Sequence, residues 1–511
     1  YIEFPEVFAS NRSGFDCILT NPPWEALQLK EEEFFAGIPA IIEQRKQADR
    51  RAAIKKLKDG TRKDKQIYGK YVTEWRKLGK LDNFLRNSGC YPLSAKGTIN
   101  TYALFIERCS QLLSKKGRAG MIVPSQVATG YHMQDLFRDF IENRKLLSLF
   151  DFENRKKLFP IDSRFRFSLL TFGSDNASQG EVPMAFYCHT PEEVQEVLEL
   201  LPKDWHNLKA HLESLPPSHR LFAFTLDDFK ELNPNTLTCP VFRTRRDAEL
   251  TRHLYAQAPL LLQRDYKTGQ ELNNPWHIKF LRMIDMANDS KHFKDQNQLK
   301  QMGGAPKDPS NIGGSWIVDN QEYFPLYEGR MIWIYDHRHN SAEMVPEKGK
   351  KFKARSIPVS LEDHQNPNYS AIPRFWVLRN LVENRIPNEY THQWFIGFRD
   401  TTNVTNERTL IPCVIPCVAV GHKIPLILIN NVDNRVCGFI ANLSSIVLDY
   451  VVRQKFPGTS LSYYIIEQLP IFPPTFYTNE ILKFIVPKVL ELIYTSYTLN
   501  SFASDLGYTN K

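Results

Sequence analysis

Between Thr98 and Phe172 the apolar residues switch repeatedly between helical spacing and short unbroken runs. That alternation restricts the fold more than any other feature of the chain. Tyr102, Phe105, Ile106, Cys109, Leu112 and Leu113 recur at helical intervals and predict a helix over Thr98–Ser114. Lys115, Lys116 and Gly117 supply the basic charge and the stop. Ala119–Pro124 then reads as a buried strand, Met133–Asn143 as a helix, and Leu146–Phe152 and Phe165–Phe172 as strands. Strands alternating with helices define an α/β domain with a largely parallel sheet. An earlier apolar run, Phe15–Thr20, also reads as a buried strand, and Pro22 and Pro23 stop it.

The remaining sequence divides by composition. Glu25–Arg86 is rich in Lys, Arg, Glu and Gln and reads as charged helices. Its basic portion, Arg45–Lys80, fits either a solvated helical insertion or a DNA-facing surface. Past Ser174 the alternation weakens into a loop at Asp175–Gly180 and a helix at Glu192–Leu201. From Cys239 to Pro474, Pro, Asn, aromatics and short β-prone runs indicate a second domain of mixed, mainly β, character. A helix is expected within it at Leu443–Gln454, and a last one at Ile481–Thr498. A chain of 511 residues, 42% of them hydrophobic, can fill two or three such cores.

Several function classes are set aside. Eight scattered cysteines include no Cys-x-x-Cys pair, and the closest two are Cys413 and Cys417. No metal is therefore expected, and free thiols suit a reducing cytoplasm. The most apolar stretches, such as Ile424–Ile429, are far too short to span a bilayer, so no membrane partner is expected. The net charge of +8 is compatible with phosphate binding without requiring it. The chain opens at Tyr1 and soon enters a strand-like run, which raises the expectation that further residues lie upstream.

Asn21-Pro22-Pro23-Trp24 carries the most specific chemistry. It follows the first strand directly, at the sheet edge where open α/β folds bind ligands. An exocyclic base amine is a poor nucleophile, because its lone pair is delocalised into the ring. Two acceptors on its hydrogens draw the nitrogen towards tetrahedral geometry and localise that pair. The Asn21 side-chain oxygen can be one and the Pro22 carbonyl the other. Proline at Pro22 and Pro23 stiffens the loop, and Trp24 offers a flat face to an extruded base. The bland alternative is a strand-ending turn with an aromatic plug.

The run FDCILTNPPW resembles the catalytic motif of bacterial adenine-specific amino-methyltransferases of the gamma type, including fused type IIG restriction–methylation proteins. INTYALFIERCSQLLSKKGRAGMIVPSQ resembles the helix and strand after that motif, and LFDFENRKKLFPIDSRFRFSLLTF the next strand pair. The resemblance implies an incomplete S-adenosylmethionine-dependent methyltransferase fold followed by an α+β target-recognition domain. The expected layout is a catalytic part at 1–174 with an insertion at 25–93, then a connecting region at 175–238. Recognition would occupy 239–475 and a helical segment 476–511. The resemblance implies methyl transfer to N6 of a flipped adenine in duplex DNA, within restriction–modification or phage defence in a prokaryotic cytoplasm. An aromatic residue on the far face of the base is also implied, with Phe165 the candidate and Phe167 the alternate.

The family's Gly-rich cofactor loop has no counterpart here. Gly303-Gly304 and Gly313-Gly314 lie far downstream in polar sequence. Glu3 and Phe4 are the candidates for holding the cofactor adenine, although the same residues suit an ordinary strand end. No Pro-Asp…Glu-x-Lys nuclease pattern occurs, so a nuclease would be a partner subunit or an upstream domain.

PVFRTRRDAEL, PLYEGRMIWIYDHR, FRDTTNVTNERT and LSYYIIEQLPIFPP resemble recurrent segments of the recognition region. They supply DNA-binding candidates. Arg243, Arg245 and Arg246 fit phosphates or guanine edges, or an ion-pair cluster with Asp247 and Glu249. His337 and Arg338 fit DNA contact or a buried polar network. Arg399, Asn403 and Arg408 suit base or backbone reading, or plain loop formation. Two other readings stand beside the DNA methylase: methylation of a planar amine in RNA or protein, and a non-catalytic DNA-binding subunit with a vestigial loop.

Overall fold

The computed structural model describes residues 3–8, 14–44, 47–163, 165–202, 207–216, 220–347, 351–456 and 458–508. It divides into two compact units: residues 1–255 with 265–270, and residues 256–264 with 271–511.

The first unit is built on a six-stranded sheet. In chain order its elements are β1 (Phe15–Thr20), α1 (Gln47–Lys56), α2 (Arg62–Asn87), α3 (Thr101–Leu112), β2 (Leu113–Pro124), α4 (Gln134–Glu142), β3 (Leu146–Glu153), β4 (Arg166–Gly173), β5 (Val182–Cys188) and β6 (Leu221–Phe224). The strands lie in the order β1-β2-β4-β3-β5-β6. β1 runs parallel to β2, and β3 parallel to β5, whereas β4 and β6 are antiparallel to their neighbours. Four of the six strands thus point one way, as the helix–strand alternation predicts.

Period-two alternation divides the side chains of the sheet between two cores. On one face Leu149, Leu170 and Phe172 pack with Tyr102, Ile106, Leu136, Phe137 and Phe140 from α3 and α4. On the other, Phe150, Phe152 and Phe167 pack with Val194, Val197, Leu208 and Leu212. The stretch 175–238, expected as a connecting region, instead supplies β5 and β6 to this sheet. Arg243–Arg246 also fall in the first unit, so the boundaries expected at 174 and 239 shift towards residue 255.

β1 is not the buried strand its apolar content suggests. Asp16, Cys17 and Leu19 are exposed, Leu19 by 86%. The cause is position: β1 ends the sheet and pairs only with β2 among the described residues.

The second unit is α+β. The strands Trp316–Val318, Gln321–Tyr327 and Trp376–Leu378 form most of one sheet, and Lys279–Leu281, Trp394–Phe398, Pro412–Pro416 and Leu426–Leu428 another. The helix expected over Leu443–Gln454 is present as Ile446–Lys455, and a separate helix, Arg435–Leu443, ends just before it. Ser445 caps the second by accepting from the Leu448 N–H at 3.1 Å.

Candidate active site

Asn21-Pro22-Pro23-Trp24 leaves the end of β1 and is fixed from two sides. The Thr101 hydroxyl, at the start of α3, donates to the Pro23 carbonyl at 2.6 Å. Its backbone N–H donates to the Glu25 carbonyl at 2.9 Å. From β2, the Ile122 carbonyl accepts the Trp24 indole N–H at 3.2 Å. Tethers from helix and strand hold a loop whose prolines have already lost conformational freedom.

This loop forms one wall of an open cleft of about 260 Å³, lined by Asn21, Pro22, Pro23, Trp24, Phe159, Pro160 and Ile161. That is just under the roughly 300–1,000 Å³ usual for small-ligand sites. The Asn21 side chain and the Pro22 carbonyl accept no hydrogen bond from any described residue. None of the seven lining residues titrates, so the cleft offers neutral acceptors and apolar faces rather than acid or base. Trp24 contributes an edge: its ring packs edge-on to Phe159 at 5.9 Å and stacks towards Phe167 at 6.3 Å.

The rest of the lining, Phe159, Pro160 and Ile161, comes from the loop between β3 and β4, and no sequence reading places it at the site. Phe165, the aromatic candidate, is 49% exposed, precedes β4 and does not line the cleft. Phe167 is 3% exposed and lies flat on Phe152 at 5.0 Å. Phe159, rather than Phe165 or Phe167, is the aromatic residue that lines the cleft with Trp24, and it stands before Pro160 much as the first loop sets an aromatic beside prolines. That aromatic–proline pairing in LFPI was the available signal.

Glu3 and Phe4 stand away from the cleft. Residues 5–8 form a helical turn rather than a strand end, and Phe4 packs edge-on to Phe15 at 5.7 Å. Phe15 begins β1, whereas the cleft lies beyond its other end. That geometry lends no support to the cofactor assignment of Glu3 and Phe4.

The DNA-binding candidates separate into free and engaged groups. Arg246 is exposed and makes no ion pair among the described residues, whereas Arg243 lies 4.1 Å over the Tyr187 ring and 4.0 Å from the Glu153 carboxylate with its side chain half exposed. Arg245 is engaged, donating to the Leu212 and Leu215 carbonyls. Asp247 is the N-terminal cap partner of Thr244, accepting its N–H at 3.0 Å.

In the second unit, His337 and Arg338 are fully buried. His337 Nε2 meets the Thr498 hydroxyl at 3.0 Å, and Arg338 donates to the carbonyls of Asn366, Tyr369, His364 and Thr495. Arg408 donates to the Ser444 and Ser445 carbonyls where two helices meet. Asn403 closes a local turn by accepting from the Thr405 N–H at 2.9 Å. These four hold structure, and their assignment to DNA is corrected accordingly. Arg399 is half-buried with no carboxylate partner among the described residues, and burial, with Arg330 nearby, lowers its pKa.

Residues 71–159 match the family described as Eco57I restriction-modification methylase. The match begins within α2 and ends on Phe159, and it leaves out Asn21–Trp24. No curated protein matches the sequence. Among solved structures, the type IIG restriction endonuclease BpuSI is similar over 95% of this chain and 50% of its own, at 11% identity and a TM-score of 0.29. The type IIL restriction-modification enzyme MmeI, in complex with DNA, is similar over 99% of this chain and 56% of its own, at 8% identity and a TM-score of 0.37. The chain spans about half the length of these two proteins. Likenesses this faint say nothing about the site. The family match likens residues 71–159 to a restriction-modification methylase.

Proposed function

We propose that this chain holds an adenine extruded from duplex DNA for methyl transfer to its N6 by the protein that carries the chain. The observation that carries the reading is the pair of unengaged acceptors, the Asn21 side-chain oxygen and the Pro22 carbonyl. Both residues line the cleft together with Trp24 and Phe159. An adenine placed there gives its two amine hydrogens to the two oxygens, and its faces meet apolar walls. The nitrogen lone pair is then localised for attack. With no titrating group lining the cleft, the proton released after alkylation goes to water.

S-adenosylmethionine, as the donor, supplies an electrophilic methyl group. The cleft lining has neither a carboxylate nor a glycine-rich turn, so the residues present do not fit this donor. In this reading other residues hold it. Duplex DNA is the substrate, in a prokaryotic cytoplasm, alongside a nuclease in the same or a partner polypeptide.

The test is product identification in the intact protein that carries this chain. DNA treated with enzyme and donor, digested to nucleosides, should contain N6-methyladenine by mass spectrometry. Asn21→Ala should reduce that product at least a hundredfold while DNA affinity stays within a few-fold. A product on another base, or near-normal turnover by Asn21→Ala, overturns the proposal.

A further inference from the structure

The largest concentration of charge in the chain lies outside the cleft. Residues 47–87 hold 13 Lys and Arg against 5 Asp and Glu, a net charge of +8 that equals the total for the whole chain. Three of the thirteen, Arg50, Lys77 and Arg86, pair with Glu32, Glu74 and Asp82. The other ten make no ion pair among the described residues.

The charge is ordered around α2. At about 100° per residue, Arg62, Lys63, Lys65, Lys70, Arg76, Lys77 and Lys80 fall within an arc of about 160°. All seven are exposed. Asp64 and Asp82 lie on the far side of the helix. Gly69 and Thr73 share the basic arc, and nothing stands within 4 Å of where a Cβ would sit on Gly69. The inner face is the structural one. Ile67, Tyr68 and Tyr71 pack on a small core of Phe35, Ile41 and Ile54, and Leu85 on another with Ala95 and Ile99. Thr61 and Asp64 cap the start reciprocally.

This helix is rooted at the catalytic loop. The chain leaves the loop at Glu25, and Ala26 bridges Asn100 while Leu27 N–H donates to the Ile99 carbonyl at 2.8 Å. At the far end of α2, Arg86 donates to the carbonyls of Ala95 and Gly97 at 3.1 and 2.7 Å. The insertion thus departs from and returns to the base of the cleft, and both ends are pinned.

We infer that α2 is a phosphate-tracking arm that grips duplex DNA beside the extruded base, with Arg62, Lys63, Lys65, Lys70, Arg76, Lys77 and Lys80 as its contact stripe. The inference rests on the reading of the cleft as a DNA-modifying site. From Arg62 to Lys80 the stripe runs about 27 Å at ~1.5 Å per residue. That length matches about eight base-pair steps of ~3.4 Å. Lysines and arginines on one rigid face neutralise phosphates without reading bases, and each contact releases counterions. Gly69 lets the backbone approach the duplex closely there.

The experiment measures binding of the intact protein to a fluorescent 30-base-pair duplex over a salt series, without methyl donor. Lys63→Gln, Lys70→Gln, Arg76→Gln and Lys80→Gln are combined in one variant. A control variant combines Lys291→Gln, Lys300→Gln, Lys483→Gln and Lys488→Gln, with the same change in net charge. The arm variant should bind about tenfold or more weakly at low salt, with a slope of log K against log salt shallower by about 2 to 4. The loss should be equal across DNA sequences. Circular dichroism should be unchanged, since all four positions are exposed.

An unchanged slope, an equal loss in the control, or a protein that prefers a duplex RNA of the same length overturns the inference. Arm-dependent DNA binding without N6-methyladenine would defeat the methylation reading and leave the arm standing. An active methylase indifferent to the arm variant would do the reverse.

Discussion

The carboxamide of Asn154 holds the backbone of Phe159 at both of its polar groups. Its oxygen accepts the Phe159 N–H at 3.1 Å, and its nitrogen donates to the Phe159 carbonyl at 3.0 Å. The same nitrogen reaches the Ile161 carbonyl at 3.2 Å, and Asn154 is fully buried at the end of β3. Its own N–H donates to the Phe165 carbonyl at 3.0 Å, which closes the loop between β3 and β4. One side chain thus substitutes for the pairing partners that Phe159–Ile161 lack, and through them it positions a wall of the cleft.

Replacing that side chain should loosen the wall without touching the acceptors opposite. Asn154→Ala leaves the backbone groups of Phe159 and Ile161 without their partner, at about 1–3 kcal/mol for a buried group left unsatisfied. Asn154→Asp keeps an acceptor for the Phe159 N–H but loses both donors, so it should also fail to restore the loop. Both should raise KM for DNA more than they lower kcat. A 2-aminopurine at the target position should change its fluorescence in the complex. Steady-state kinetics on both variants check this, and unaltered KM in each would show that the wall stands without Asn154.

Phe159 and Phe165 are six residues apart and should behave differently. Phe159→Ala removes a ring that lines the cleft, and a lost base–aromatic stack costs roughly 1–3 kcal/mol, or about 5- to 150-fold in affinity for an unpaired adenine. Phe165→Ala removes a half-exposed ring off the cleft and should leave that affinity within a factor of two or so. Titration of both variants with a duplex carrying an abasic partner opposite the target adenine decides between them. A larger loss from Phe165→Ala would return the stacking role to the residue first expected.

Much of the first unit was legible because its signals are local. Helical spacing in 102–113 and unbroken apolar runs in 119–124 and 146–152 are set by neighbours along the chain, and α3, β2 and β3 follow them within a few residues. That Asn21–Trp24 leaves β1 as a loop was legible for the same reason. Burial was not, because it depends on partners far away in sequence. β1 has core-like composition, yet it ends the sheet. Arg338 has surface-like composition, yet its guanidinium satisfies carbonyls 26 to 157 residues distant. The wall at Phe159–Ile161 was hidden because Asn154 orders it through backbone hydrogen bonds that leave no apolar period.

His337 gives the protein a defined sensitivity to acid. Burial is the main cause that pushes its pKa down to about 3, and Arg338 adds to the effect while Asp336 opposes it. In the unfolded chain the same imidazole titrates near 6.5. Above that value both states are neutral and the group has no effect on stability. Between 6.5 and about 3 the unfolded state binds a proton that the folded state refuses, so stability falls as pH falls through this window. At pH 5 the difference amounts to about 2 kcal/mol. His337→Gln removes the titration and keeps a side chain able to meet the Thr498 hydroxyl, which His337 Nε2 approaches to 3.0 Å. The variant should lose less melting temperature than the parent between pH 7 and pH 5, whatever its stability at pH 7. Differential scanning calorimetry at the two pH values measures this. An equal acid loss in parent and variant would mean that His337 takes up its proton inside the fold.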